Sequence, residues 1–235
     1  MNKKNSDSHL PIGEEILPGL IRIPLNPMEI VNVYLLGDVL IDSGPGYATR
    51  QILTALAGRE VSAHALTHAH PDHQGCSHAI CEQLDLPLWC GEADREAMES
   101  GDLSVLLPNP QSMFARLSKN FSGPAHPVAR SLKEGDQVGG FTVINTPGHT
   151  LGHLSFWRES DRALVVGDVL FHRNPITQRR GLQEPFKLAT VDPPLNRQSA
   201  RKLAALKPNV ICFGHGPALF EPQVFISYVE NLPKD

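Results

Sequence analysis

The sequence predicts an α+β fold in which two packed sheets carry helices on their outer faces. Short strand-like runs gather into a cluster followed by one or two helical patterns, and the same order occurs twice along the 235 residues. No linker-like segment divides the chain, so one domain over 1–235 is expected. Residues 1–10 are polar and read as a frayed tail, and no apolar h-region follows them, so a secretory signal is not expected.

The elements follow in order. Ile21–Leu25, Ile30–Leu36 and Val39–Asp42 alternate or run apolar and read as consecutive strands, with Gly37-Asp38 as a two-residue hairpin turn. Asp42-Ser43-Gly44-Pro45-Gly46 turns the chain into a helix over Tyr47–Ala57. A buried strand ends at Leu66, and Cys76, Ala79, Ile80 and Leu84 then fall at helical spacing across Gln74–Leu84. A strand over Leu86–Cys90 and a short charged helix over Glu92–Ser100 come next. Residues 101–127 carry four prolines, yet Met113, Phe114, Leu117 and Phe121 share one helical face. That stripe either packs on the main domain or forms a helical lid over a cavity. Strands are expected again at Phe141–Asn145, Leu154–Trp157, Ala163–Val166 and Val210–Phe213. Helices are expected over Asn196–Leu206, with Asn196 as N-cap, and Pro222–Leu232.

Composition narrows the function classes. A net charge of −4 with 6% aromatic residues and no basic stripe gives nucleic acid no footprint, so none is expected as a partner. No apolar run reaches the length of a membrane span. The four cysteines stand in apolar contexts and match no paired zinc or redox spacing, which reads as buried thiols in a cytoplasmic protein. The partner expected is a small-molecule substrate, and a homodimer is left open.

The chemistry concentrates in Thr67-His68-Ala69-His70-Pro71-Asp72-His73, which puts three imidazoles and a carboxylate into six residues between a strand and a helix. His68 and His70 lie two apart and share a side in extended chain, and the following turn can swing Asp72 and His73 toward the same cavity. Such donors suit zinc and related dications. Three later loops each place a donor beside glycine after a strand: Pro147-Gly148-His149, Gly167-Asp168 and Gly214-His215-Gly216.

With these residues in view, His68-x-His70-x-Asp72-His73 followed by His149, Asp168 and His215 resembles the metallo-β-lactamase fold superfamily. Asp42-Ser-Gly, Thr146-Pro-Gly-His-Thr-x-Gly-His and Gly167-Asp168-x-Leu170-Phe171 extend the match. Within the superfamily the chain is most similar to glyoxalase II-like metallo-hydrolases. The resemblance implies an αββα sandwich with two divalent ions at one edge, zinc foremost, with iron or manganese as alternatives. It implies His68, His70 and His149 around the first ion, Asp72, His73 and His215 around the second, and Asp168 between them. The activity implied is hydrolysis of a small-molecule thioester or ester by a hydroxide shared between the ions, with Asp72 orienting it and accepting its proton. A phosphodiesterase or ribonuclease, a lactonase and an iron-dependent sulfur or oxygen redox enzyme are the alternatives.

Departures from the pattern sharpen this. The commonest true β-lactamases carry cysteine where this chain has Asp168, and the iron oxygen reductases carry glutamate where it has His70. Glyoxalase II proper adds a helical domain that forms much of its glutathione site, whereas about twenty residues follow His215 here, so a glutathione thioester is not the substrate expected. His153 is expected to support a ligand from behind and His172 to face the substrate. Arg173, Arg179 and Arg180 form a basic segment suited to a carboxylate or phosphate, or simply to solvent. His9, His64, His78 and His126 have no motif context.

Overall fold

The computed structural model describes residues 13–25, 29–118 and 122–234. The expected tail at 1–10 and Phe121 of the apolar stripe lie outside them. Among the described residues, fourteen strands form two sheets and a ribbon. The first sheet runs β1 (Glu14–Leu17), β2 (Leu20–Pro24), β3 (Asn32–Leu36), β4 (Val39–Ile41), β5 (Ala63–Ala65), β6 (Leu88–Gly91) and β7 (Val128–Leu132) in spatial order. Its first four strands are antiparallel neighbours, and β4 to β7 are parallel. The second sheet contains β8 (Gln137–Val138), β9 (Phe141–Asn145), β10 (Leu154–Arg158), β11 (Ala163–Val165) and β14 (Val210–Cys212), ordered β14-β11-β10-β9-β8. The ribbon pairs β12 (Phe171–Arg173) with β13 (Arg180–Gln183).

Alternation along the strands sorts side chains into three apolar layers. Tyr34 and Leu36 of β3 point between the sheets to meet Phe141, Phe156 and Val165, while Val33 and Leu35 point outward. On that outer face lie Ile52 of α1 (Thr49–Leu56), Ile80 of α3 (Ser77–Leu84) and Met98 of α4 (Arg95–Ser100). Across the molecule, Leu164 of β11 and Ile211 of β14 turn outward onto Leu203 of α6 (Pro193–Ala205) and Phe225 and Val229 of α7 (Pro222–Glu230). The layer order is therefore helix, sheet, sheet, helix, as expected.

Several local readings change. The helix expected over Gln74–Leu84 starts only at Ser77, as α3, and a separate single turn, α2 (Pro71–Gln74), precedes it across a break. The Ser43 hydroxyl enters the break: it donates to the carbonyl of His73 at 2.9 Å and accepts from the amide of Cys76 at 3.2 Å. The N-cap of α6 is Asp192, whose carboxylate accepts from the Leu195 amide at 2.9 Å ahead of two prolines. Asn196 is instead buried inside that helix, donating to the Val169 carbonyl at 2.9 Å. The segment bearing Arg173, Arg179 and Arg180 contains the ribbon rather than a plain loop. All four cysteines are free and buried. Among the described residues, no helix is long and apolar enough to cross a membrane.

Topology positions the site. Strands β4 and β5 run parallel, and β9, β11 and β14 share one direction in the second sheet, so their carboxyl ends gather at one edge. The two sheets are joined there through Asn32, whose side-chain amide donates to the carbonyls of Phe213 and Gly216 at 3.0 and 2.6 Å. Its backbone amide donates to Gly214 at 2.8 Å.

Candidate metal centre

The loops that leave those strand ends bring every expected donor to one place. His68, His70 and His149 form one group, His68, His73 and Asp168 a second, and Asp72, His73 and His215 a third, each with donor atoms within 4.8 Å of one another. Oδ2 of Asp168 lies 3.1 Å from His215 Nε2, 3.4 Å from His73 Nε2, 3.6 Å from His149 Nε2 and 3.9 Å from His68 Nε2. Its carboxylate therefore stands between the histidines from both halves of the chain. The loop turn at Gly214 has no room for a side chain: a Cβ there would collide with the Asp168 carboxylate and the His73 ring.

Hydrogen bonds fix which nitrogen each imidazole turns inward. Thr67 Oγ1 donates to Asp42 at 2.8 Å, so it accepts from His68 Nδ1 at 3.0 Å and leaves Nε2 as a lone pair. Thr190 Oγ1 donates to the Phe186 carbonyl at 2.8 Å and in turn accepts from His149 Nδ1 at 3.1 Å. His73 Nδ1 donates to Asp42 at 2.8 Å, His70 Nε2 to the Leu106 carbonyl at 3.3 Å, and His215 Nδ1 to the Ile30 carbonyl. Each ring is thus held from behind, the arrangement that orients metal-binding histidines.

The inward atoms suit a cation. His70 Nδ1 lies 3.1 Å from His68 Nε2 and 3.0 Å from His149 Nε2, although these hydrogen bonds leave all three as lone pairs. Two ligands at 2.0–2.1 Å from one tetrahedral ion stand ~3.3 Å apart, close to this spacing. Among the described residues, His73 Nε2 and Asp168 Oδ1 are buried with no hydrogen-bond partner. The donor set fits divalent ions of the zinc and iron type.

Charge follows the same lines. Burial, reinforced by the neighbouring imidazoles, holds the pKa of His68 and His149 well below the usual histidine range. Burial opposes charge on His73 and His215 too, but the carboxylates around them together outweigh it: Asp168 with Asp42 and Asp72 raises His73 strongly, and Asp168 with Asp72 raises His215. Burial likewise works against the Asp168 carboxylate, yet His215 and His73 hold it well below the ordinary range. Positive charge is therefore favoured on the Asp168 side, at His73 and His215, while His68 and His149 stay neutral donors.

Supporting residues are where sequence reasoning was thinnest. His153 lies behind the cluster as expected: Nε2 accepts from the Asp168 amide at 3.0 Å while Nδ1 faces Thr146 Oγ1 at 2.8 Å. Burial lowers its pKa to about 3, so it remains neutral. Asp42 was visible only as part of a motif. Asp94 carried no signal, being one acid in a charged helical stretch. Its carboxylate is fully buried and accepts from the amides of Ala69 and Gly152 at 3.0 and 2.9 Å and from Thr150 Oγ1 at 2.9 Å. It thereby ties the His68–His70 loop to the His149 loop.

The cluster forms the floor of a cavity of about 430 Å³ with apolar walls from Leu107, Phe114, Leu117, Phe171, Ile176 and Phe186. The floor exposes His70, Asp72, His149, Asp168 and His215. The stripe on α5 (Met113–Ser118) is not core: Phe114 and Leu117 line this cavity and are 38% and 55% exposed. His172 does not face it, contrary to expectation. In β12 alternate residues point to opposite sides, so Phe171 lines the cavity while His172 packs on Phe213 and bonds the Pro217 carbonyl at 2.8 Å. Arg173, Arg179 and Arg180 are also absent from the wall.

Comparison with known proteins places this geometry. The family model described as "Metallo-beta-lactamase superfamily" matches residues 27–215. The probable metallo-hydrolase YybB of Bacillus subtilis (strain 168) is 28% identical over 97% of this chain and 98% of its own length. A hydroxyacylglutathione hydrolase of Bdellovibrio bacteriovorus is 28% identical over 48% of this chain and 36% of its own. The crystal structure of TTHA1623 in a di-iron-bound form superposes with a TM-score of 0.67 at 28% identity, covering 88% of this chain and 96% of that one. The chain belongs to the metallo-beta-lactamase superfamily, as a metallo-hydrolase of that fold.

Proposed function

We propose that the protein hydrolyses a thioester or ester whose acyl group is apolar. The observation that carries this reading is the cavity itself: a dinuclear-type donor cluster opens directly into a pocket walled by aliphatic and aromatic side chains. Among the described residues no lysine or arginine lines it, so a polyanionic substrate such as a phosphodiester chain or RNA finds no charge complement beyond the donor cluster.

In this reading His68, His70 and His149 would hold one ion, Asp72, His73 and His215 would hold another, and Asp168 would contribute to both. Zinc is the ion favoured by the donor set, and the di-iron form of the structural relative makes iron the alternative. Such ions, when bound, would supply an activated water with a pKa of about 7 and Lewis acidity toward a carbonyl oxygen. The chain's own residues do the rest. The negative charge of Asp168 offsets cationic charge at the floor. Asp72 is the most open of the donors, with its side chain 41% exposed and Oδ2 3.4 Å from His215 Nε2. Its carboxylate orients the attacking water, takes that water's proton as the new C–O bond forms, and returns it to the leaving thiolate or alkoxide as the scissile C–S or C–O bond breaks. Phe171 and Phe186, whose rings meet at 5.6 Å, form a fixed apolar surface for the acyl chain, and Phe114 and Leu117 cover it from the α5 side.

The test is a substrate panel on metal-loaded protein: acyl thioesters and esters of increasing chain length, lactones, phosphodiesters, a β-lactam and short RNA. Turnover of thioesters or esters that rises with chain length, without phosphodiester or RNA cleavage, supports the reading. Preference for a phosphodiester, RNA, lactone or β-lactam overturns it.

A further inference from the structure

Two histidines without a motif, far apart in sequence, meet outside the cavity. His78 and Glu82 lie four residues apart on α3, the spacing that puts side chains on one helical face. His126 comes from the segment that leads into β7, and its backbone amide donates to the Met98 carbonyl at 3.0 Å. The Nδ1 atoms of the two histidines stand 3.2 Å apart, and His126 Nδ1 is 4.0 Å from Glu82 Oε1. The rings cross edge to face, with centroids at 5.3 Å and planes at 73°.

This is the separation that two nitrogen ligands of a tetrahedral ion adopt, ~3.3 Å for bonds of 2.0–2.1 Å. The two rings therefore turn the same type of nitrogen toward one point, and the carboxylate completes three donors within 4.8 Å. His126 is held in place by its backbone and is largely buried, while Glu82 reaches in from solvent with its side chain 65% exposed. Burial and the nearby His78 lower the pKa of His126, which favours the neutral ring that binds metal.

We propose that His78, Glu82 and His126 form an additional metal site for a zinc-type dication, separate from the centre at Asp168. It joins α3, which follows the donor-bearing α2, to the segment at 122–127. That segment packs closely: a Cβ on Gly123 would clash with the Gly75 carbonyl at the break between α2 and α3. An ion there clamps the chain entering β7 onto the helix behind the main centre. The fourth position is left to water, as two histidines and a glutamate supply only three donors.

The experiment counts zinc. Holoprotein is titrated with Zn²⁺, desalted and assayed by elemental analysis, alongside Glu82→Ala, His78→Gln and His126→Gln, with His70→Gln as a control at the main centre. Loss of a residue that merely supports a ligand costs metal affinity about 10–100-fold, so loss of a ligand should cost at least that much. The expected result is that the native chain retains about one equivalent more than Glu82→Ala, His78→Gln or His126→Gln, and that His70→Gln keeps this equivalent. Added zinc should raise the melting temperature of the native chain, and this rise should be lost in Glu82→Ala. Glu82 is exposed, so its alanine variant should retain the native circular dichroism and hydrolytic activity. Equal zinc retention and equal melting shifts in native chain and Glu82→Ala would overturn the site. So would loss of the extra equivalent in His70→Gln.

Discussion

Oδ2 of Asp42 accepts the Nδ1 proton of His73 at 2.8 Å, and through this one bond the residue after β4 decides which nitrogen of a distant imidazole faces the centre. Asp42 also accepts from the amide and hydroxyl of Thr67, both at 2.8 Å, and Thr67 in turn orients His68. One carboxylate therefore sets two candidate ligands. It holds a backbone conformation with φ of 61°, which aspartate and asparagine tolerate better than other side chains.

Asp42→Asn should be isosteric yet harmful. An amide NH₂ facing His73 would donate to Nδ1 and move the ring proton to Nε2, the atom that faces Asp168. Metal affinity should fall about 10–100-fold with little change in fold. Isothermal titration with zinc and far-ultraviolet circular dichroism would check this, and unaltered affinity would refute the orienting role.

Asp94→Ala should act on stability. It strips partners from the amides of Ala69 and Gly152 and from the Thr150 hydroxyl in a fully buried place. Leaving such donors unpaired costs on the order of 3 kcal/mol. Urea unfolding should show a lower midpoint at unchanged slope, together with weaker metal binding at His68, His70 and His149. An unchanged midpoint would mean that the two loops are held elsewhere.

Acid sensitivity has an identifiable contributor outside the metal centre. His64 is fully buried; its Nδ1 donates to the Leu40 carbonyl at 3.1 Å and its Nε2 accepts from Ser77 at 2.8 Å. Burial lowers its pKa to about 4, against 6.5 in the unfolded chain. The unfolded state therefore binds the extra proton between these values. The neutral ring's contribution is fully present above pH 6.5 and is lost as pH falls toward 4, a change of about 3 kcal/mol. Unfolding free energies measured across this range should fall less steeply with acid in His64→Asn than in the native chain. Parallel slopes would remove His64 from the account.

The apolar cavity predicts a chain-length effect. Each methylene buried there should raise kcat/KM roughly fourfold, from about 0.8 kcal/mol per methylene, until the pocket is full. Phe114→Ala should reduce turnover of long acyl substrates about tenfold and leave the shortest ones unchanged. A uniform loss across the series would place Phe114 in general binding instead.

Much of the site was legible because its chemistry is local. His68 to His73 sit in one stretch, and His149, Asp168 and His215 each follow a strand beside glycine, so residue type and spacing marked them as donors, while the family resemblance supplied their grouping. The supporting residues were not legible for the opposite reason. Asp94 meets Ala69, Thr150 and Gly152 only after two sheets have packed, and nothing in Glu92–Ser100 separates it from solvated acids. His172 was misplaced because one residue of strand phase decides which side it takes, and Phe171 holds the cavity side. The fold shows the same division. Strands buried throughout, such as β3, declared themselves by their apolar run, whereas β8 has two residues and β7 buries only its ends. The gap between α2 and α3 depends on the Ser43 hydroxyl, thirty residues upstream of His73.

The central claim is that Asp168 unites two sets of donors around a pair of ions that supply the reactivity. It is tested most directly by elemental analysis and thioester hydrolysis of Asp168→Ala beside its parent, both carrying Glu82→Ala so that only this centre is counted. The parent chain should carry about two dications, with metal content and turnover falling together in Asp168→Ala. Full turnover by Asp168→Ala, or a parent that hydrolyses substrate after chelation has removed its metal, would contradict it.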